Sequence, residues 1–110
     1  FAVPEPQVRE DGTILGQVQH VDQFGNLITN VPGELLPEGR VKVRIAGREV
    51  VGPLKAYARA AQRELLAIVD ASGNLEIAER DGSAAATLQV GRGAEIVVTP
   101  VRQDAQDPRM

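Results

Sequence analysis

The 110-residue chain contains no cysteine, no tryptophan, a single histidine and only 3% aromatic residues. Without cysteine it can form neither a disulfide framework nor a thiolate metal site. The histidine, His20, belongs to no cluster with metal-ligand spacing, so we predict no metal site. The Gly91-Arg92-Gly93 segment lacks the lysine and hydroxyl residue that a phosphate-binding loop requires. These absences leave no self-sufficient set of catalytic residues, and we predict none in this chain.

The chain also lacks an excess of positive charge and any long apolar run. Its net charge of −3 provides no basic face for nucleic acid. No apolar run approaches the roughly 20 residues of a membrane-spanning helix. Glu5, Arg9 and Glu10 precede any run that could form a signal peptide. We therefore expect no nucleic-acid partner, no membrane partner and a cytoplasmic location.

The remaining composition is that of one globular domain, with 43% hydrophobic and 25% charged residues. The first residue is Phe1 and not methionine, which suggests a piece of a longer chain. Residues 1–12 are polar and contain Pro4 and Pro6, so we predict an extended interdomain linker there. Residues 13–101 form the predicted domain, and residues 102–110 a frayed polar tail.

Short β-favouring runs, separated by glycine and proline about every ten residues, predict an antiparallel fold. The predicted strands are residues 13–22, 27–31, 41–46, 50–53, 65–69, 75–78 and 94–101. Residues 84–88 favour a short helix with Ser83 as its N-cap, while helix and loop compete over residues 57–64. No internal repeat is predicted. The expected fold class is all-β, a small antiparallel β-barrel or sandwich with one short helical segment.

Polar residues concentrate in the corner from Asp22 to Asn30, and their types allow two interpretations. Aspartate and asparagine side chains cap local backbone groups and tolerate left-handed conformations, so the corner can be purely structural. Alternatively, Asp22 presents a carboxylate to an ammonium group, and Asn26 presents its amide to an adenine edge. The pattern alone does not decide between them.

Tyr57 and the Ser72-Gly73-Asn74 segment also allow two interpretations, whereas the pattern around Glu76 favours one. Tyr57 suits either a half-buried core position or stacking on a base. The Ser72-Gly73-Asn74 segment is a tight turn whose hydroxyl and free N–H groups would also suit a carboxylate or a ribose. Glu76 alternates with Leu75 and Ile77, which predicts that its side chain lies on the solvated face of a strand.

Two separated segments, joined by a third, together resemble a known domain. The first comprises Gly16-Gln17-Val18, Val21-Asp22 and Phe24-Gly25-Asn26-Leu27-Ile28-Thr29-Asn30. The second comprises Ser72-Gly73-Asn74-Leu75-Glu76-Ile77-Ala78 and Gly82-Ser83-Ala84-Ala85, with Tyr57 and Glu64-Leu65-Leu66-Ala67 between them. In this order, over about residues 13–99, they resemble the carboxy-terminal domain of the S-adenosylmethionine hydroxide adenosyltransferase and halogenase family.

The resemblance implies a β-barrel domain whose catalytic amino-terminal α/β domain is absent from this chain. It implies a homotrimer in which S-adenosylmethionine binds between this domain and the amino-terminal domain of a neighbouring subunit. Hydroxide from an activated water, or a halide, would attack the ribose C5′ and displace methionine. S-adenosylmethionine is then the substrate, and no cofactor is expected.

The resemblance further implies which residues bind the substrate. Asp22 would hold the methionine ammonium group, and Asn26 would contact the adenine edge. Tyr57 would stack on the base. Ser72 would contact the methionine or the ribose, while Glu76 and the backbone near Glu79 would lie along the adenine.

Departures from the fluorinating branch indicate which nucleophile is used. That branch typically has an extra proline before Phe-Gly-Asn, a tryptophan where Ile28 stands and an arginine where Ser72 stands. The sequence follows the hydroxide pattern, so we expect adenosine and L-methionine as products. The alternatives are a halogenase domain and a non-enzymatic β-barrel for oligomerisation or binding. An oligonucleotide-binding barrel would need exposed aromatics and a basic groove, which the sequence lacks.

Overall fold

The computed structural model describes residues 4–53 and 61–101. Within them the strands are β1 (Gln7–Val8), β2 (Ile14–Val21), β3 (Leu27–Pro32), β4 (Val41–Ile45), β5 (Arg48–Gly52), β6 (Leu65–Val69), β7 (Asn74–Glu79) and β8 (Glu95–Pro100). A 3-10 turn covers Gly33–Leu35, and helix α1 covers Ala84–Leu88. The predicted all-β fold with one short helix is confirmed. In the part of the chain that the structure describes, no helix is long and apolar enough to cross a membrane.

The strands form one antiparallel sheet that curls into a nearly closed barrel. Its order is β5-β4-β8-β2-β3-β7-β6, and β1 pairs with β2 outside this path. The end strands β5 and β6 approach each other closely at Gly52, where a Cβ atom would lie 2.6 Å from the Ala67 carbonyl oxygen. Glycine at this position therefore lets the two edges of the sheet meet.

The core fills the barrel with the inward side chains of each strand. Alternating residues of β4 (Val41, Val43 and Ile45) are at most 1% exposed, which is the period-two pattern expected of a half-buried strand. Ala84 and Leu88 of α1 join the same cluster. The Ser83 hydroxyl accepts a hydrogen bond from the Ala86 N–H at 3.1 Å, so the predicted N-cap is confirmed.

The described part of the predicted linker, residues 4–12 and called the lead-in below, is bound to the sheet. Gln7 pairs with Leu15 of β2. The buried Asn30 side chain donates to the Pro4 carbonyl oxygen at 2.7 Å and accepts from the Gln17 N–H at 2.9 Å. One amide thus satisfies two backbone groups that are distant in sequence, a connection that local pattern does not reveal.

Candidate functional site

The corner between β2 and β3 is organised by the Asp22 carboxylate. Its Oδ1 atom accepts from the N–H groups of Phe24 at 2.9 Å and Asn26 at 3.0 Å. Its Oδ2 atom accepts from Asn26 Nδ2 at 2.9 Å. Gly25 completes the turn with a φ of +84°. The structure therefore brings Asp22 and Asn26, both predicted site residues, into direct contact.

These hydrogen bonds set the charge of Asp22. Burial opposes ionisation, but donors from Asn26 and Phe24, with the nearby His20, outweigh it and lower the pKa of Asp22. The carboxylate is consequently ionised at neutral pH. It is able to bind a cationic group that reaches the corner.

The corner between β6 and β7 is organised in the same way by Asp70. Its Oδ1 atom accepts from the Ser72 N–H at 3.0 Å, the Ser72 hydroxyl at 2.7 Å and the Asn74 N–H at 3.0 Å. The Gly73 N–H donates to the Asp70 carbonyl oxygen. The expectation of free N–H groups in this turn is wrong, since these three amides already bind Asp70. Ser72 is left with an acceptor oxygen for a ligand.

The two corners are an internal repeat, so the prediction of no repeat is wrong. Each has the pattern Val-Asp-x-x-Gly-Asn-Leu, at residues 21–27 and 69–75. In each, the aspartate and the asparagine four residues later are joined by a backbone hydrogen bond, 3.1 Å in the first corner and 2.9 Å in the second. This repeat is the sequence signal that would have identified Asp70, a residue that sequence reasoning missed.

The corners differ in where the asparagine side chain points. Asn26 donates to its own aspartate, whereas Asn74 Nδ2 donates to the Thr29 carbonyl oxygen on β3 at 2.8 Å. Asp70 instead lies beside Glu76 on the same face of the sheet, because Glu76 pairs with Ile68 and the Asp70 N–H donates to the Asn74 carbonyl oxygen. The second corner therefore holds a pair of acidic side chains where the first holds an aspartate–asparagine pair.

Glu76 is buried, and the prediction of a solvated side chain is wrong. Only 8% of the residue is exposed. The reason is its place in the sheet: β7 lies between β3 and β6, with Glu76 opposite Ile28 on one side and Ile68 on the other. Burial, the charges of Asp70 and Asp22, and the hydrogen bond to Asp70 raise the pKa of Glu76 to about 7.

This raised pKa predicts that Glu76→Gln stabilises the chain in mildly alkaline solution. The unfolded carboxyl ionises near 4.5 and the folded one near 7, so the stability that Glu76 contributes is fully present below 4.5 and declines up to 7. A glutamine has no charge to bury and can still donate to Asp70. We expect a gain of about 1–3 kcal/mol near pH 8 and almost none near pH 4.5, measured by urea unfolding. An equal gain at both pH values would contradict the assignment.

Glu79 lies on the opposite face of β7 from Glu76. It shares the inward face with Leu75 and Ile77 and is 3% exposed. Its carboxylate accepts from the Thr87 hydroxyl of α1 and lies 3.7 Å from Arg63 Nη1. The side chain of Glu79 thus joins β7 to α1, while that of Glu76 joins β7 to the second corner. The sixth predicted site residue, Tyr57, lies outside the described residues.

The segment Gly82-Ser83-Ala84-Ala85 contacts the first corner at Gly25. The Ala85 N–H of α1 donates to the Gly25 carbonyl oxygen at 2.9 Å. A Cβ atom on Gly25 would overlap the Ser83 hydroxyl. The segments 24–30 and 82–85, distant in sequence, therefore form one packed unit around the Asp22 corner.

An exposed aromatic side chain at the first corner is a further feature that sequence reasoning missed. Phe24 is 67% exposed at the tip of the turn, although its backbone N–H is held by Asp22. A cavity of about 240 Å³ lies between the lead-in, β2 and β8; Asn30, at the end of the first corner, lines it, but no residue of the turn 22–26 or of the second corner does. Within residues 4–53 and 61–101, no group of three acidic or histidine side chains is arranged to hold a metal ion.

A sequence model of the SAM hydroxide adenosyltransferase C-terminal domain matches residues 16–97. This range covers both corners, α1, the β6–β7 hairpin and all of the β2–β3 hairpin except its first two residues. It is well over half of the chain. No curated protein matches the chain.

Solved structures share the fold, two of them at 33% and 26% sequence identity. One is an uncharacterised conserved protein from Thermotoga maritima, 33% identical, with a TM-score of 0.77 over 91% of this chain and 40% of that one. The other is a conserved hypothetical protein from Thermus thermophilus, 26% identical, with a TM-score of 0.64 over 89% of this chain and 39% of that one. The chain thus spans about 40% of the length of these structures.

Proposed function

Because the chain belongs to the SAM hydroxide adenosyltransferase C-terminal domain family, we propose that it binds S-adenosylmethionine in an enzyme that hydrolyses this substrate to adenosine and L-methionine. The single observation that carries the proposal is the Asp22–Asn26 corner, which lies inside the matched range and joins a carboxylate to an amide.

The corner supplies groups for both ends of the substrate. Asp22 is ionised and offers its charge to the methionine ammonium group. Asn26 donates through Nδ2 to Asp22, which fixes the amide and leaves its carbonyl oxygen to accept from the adenine amino group. Ser72 offers an acceptor oxygen to the ribose or the methionine. Phe24 adds an exposed apolar surface beside them.

The reaction requires positioning more than acid or metal chemistry in this domain. The hydroxide oxygen forms a bond to C5′ as the C5′–sulfur bond breaks. The electron pair of the broken bond stays on sulfur, which neutralises the sulfonium and gives the methionine thioether. One proton of the attacking water stays on the 5′ oxygen of adenosine, and the other goes to a base, which we place in the amino-terminal domain. Holding the substrate in line can contribute about 7–11 kcal/mol to lowering the barrier. A domain without catalytic residues can therefore be half of an active site.

The rest of the proposal concerns the assembly. The amino-terminal domain of a neighbouring subunit would complete the site in a homotrimer, in the cytoplasm. This accords with a chain that spans about 40% of its structural relatives.

The test is to incubate the whole protein with S-adenosylmethionine in ¹⁸O-labelled water and identify the nucleoside by mass. We expect adenosine carrying the label at its 5′ oxygen, with methionine in equal amount. A 5′-halo nucleoside in the presence of halide would instead identify a halogenase. No product would favour a binding or oligomerisation module. As a control, the 110-residue chain alone should give no turnover; turnover by it would contradict the assignment of the chemistry to another domain.

A further inference from the structure

The second corner places two carboxyl groups side by side, which the first lacks: Glu76 pairs with Ile68, and Asp70 lies two residues beyond Ile68 on the same face, opposite Asn74. Two carboxyl groups can form a hydrogen bond only while one of them carries a proton. Three donors, from Ser72 and Asn74, converge on Oδ1 of Asp70 and favour its ionised form. Glu76 is 8% exposed and lies between two hydrophobic strands, which favours its neutral form. The proton therefore belongs on Glu76.

We propose that Asp70 is a positioning residue, which holds the Glu76 carboxyl in place for the adenosyl group through a hydrogen bond that exists only while Glu76 is protonated. This inference rests on the proposed function and deepens it. The neutral Glu76 donates its O–H to Asp70 and keeps its other oxygen as an acceptor for an amino or hydroxyl group of the nucleoside. Loss of the proton places two like charges together and releases Glu76 from this position.

The charged groups around Glu76 support this assignment. The neighbouring strands β3 and β6 contain no titratable residue. Asp70 and Asp22 act on Glu76 directly, and both are negative, so a proton on Glu76 relieves repulsion at the site. His20 on β2 acts on Asp22 and lowers the pKa of that carboxyl group. Loss of the proton on Glu76 therefore breaks its hydrogen bond to Asp70.

The experiment measures the Kd of adenosine for the whole protein by calorimetry between about pH 5.5 and 8.5, the range in which histidine also titrates. Adenosine is neutral, so its affinity reports the nucleoside contacts without the charge of the methionine. We expect the affinity to fall by about tenfold as pH rises through about 7, the size of one hydrogen bond. An affinity that is constant or rises with pH would overturn the inference.

Two substitutions at position 70 separate positioning from a structural role. In Asp70→Asn the carbonyl oxygen can keep the three donors of the turn, while the amide donates to Glu76 without needing a shared proton. We expect this variant to bind adenosine with nearly wild-type affinity and little dependence on pH. Asp70→Ala should bind about tenfold more weakly than wild type at low pH. Equal losses in both variants, constant across pH, would show a structural role only and overturn the inference.

Two further variants complete the experiment. Glu76→Gln mimics the protonated carboxyl and should bind adenosine without pH dependence, which tests the inference even if the variants at position 70 do not fold. His20→Gln should keep the wild-type fall; a flat profile would assign the pH dependence to His20 and overturn the inference. Turnover of S-adenosylmethionine without measurable adenosine binding would also overturn it. Absence of both would contradict the proposed function itself.

Discussion

Gly25→Ala is expected to lower the free energy of unfolding by about 3 kcal/mol, as a strained backbone and a steric clash add together. Gly25 has a φ of +84°, which an L side chain rarely adopts. A Cβ atom would overlap the Ser83 hydroxyl and lie 2.7 Å from the Ser83 Cβ. Ser83 is fixed as the N-cap of α1, so it cannot move without losing that cap. Urea unfolding of the purified chain measures the loss.

The repeat supplies a matched control at Gly73. This residue occupies the same position in the second corner, with a φ of +93°, but a Cβ atom there would meet nothing within 4 Å. Gly73→Ala should therefore cost only the backbone strain, about 1 kcal/mol. The difference between the two variants isolates the contact with Ser83. Equal losses would show that this contact is not what requires glycine at position 25.

Asp22→Asn is expected to reduce kcat/KM of the whole protein for S-adenosylmethionine by about 100-fold, or ~3 kcal/mol of transition-state stabilisation. The change removes the charge that would bind the ammonium group. It also replaces Oδ2 with an amide that faces Asn26 Nδ2, so two donors meet where a donor and an acceptor stood. Asn26 must then turn its amide, which disturbs the atoms offered to adenine. Steady-state kinetics with the purified variant checks this.

Asp11→Asn is the control for this substitution. Asp11 accepts from the Thr13 N–H at 2.9 Å in an exposed turn of the lead-in, and hydrogen bonds to Thr13 lower its pKa as well. We expect its kcat/KM to stay within about twofold of wild type, because surface substitutions of this kind are nearly neutral. A loss of only about threefold or less in Asp22→Asn would rule out the ammonium contact. Comparable losses in both variants would point to a general effect of removing a carboxylate.

Much of the fold follows from local chemistry that the sequence displays. Period-two alternation in Val41–Ile45, the apolar run at Leu65–Val69 and the Ser83 cap all reappear at their predicted places. Residues 22–26 form the predicted corner that joins two strands. These features depend on residues close together in the chain, so their side-chain types suffice to predict them.

The candidate site was only partly predictable, and Glu76 shows why. Alternation with Leu75 and Ile77 correctly places it on the face of β7 away from the core, but such a face is solvated only when nothing covers it. β7 pairs with strands on both sides, and the second corner brings Asp70 to the carboxyl of Glu76. Asp70 itself is detectable only by comparing residues 69–75 with residues 21–27.

The sequence by itself determined the all-β class, the family and the two turns that carry the polar residues, because turn chemistry and strand alternation act over a few neighbouring residues. Only the tertiary structure decided that the first corner packs on α1, that Asn30 binds the lead-in, and that Glu76 is buried beside Asp70. Those contacts join residues distant in the chain, and their energies depend on burial and on the charges that folding brings together.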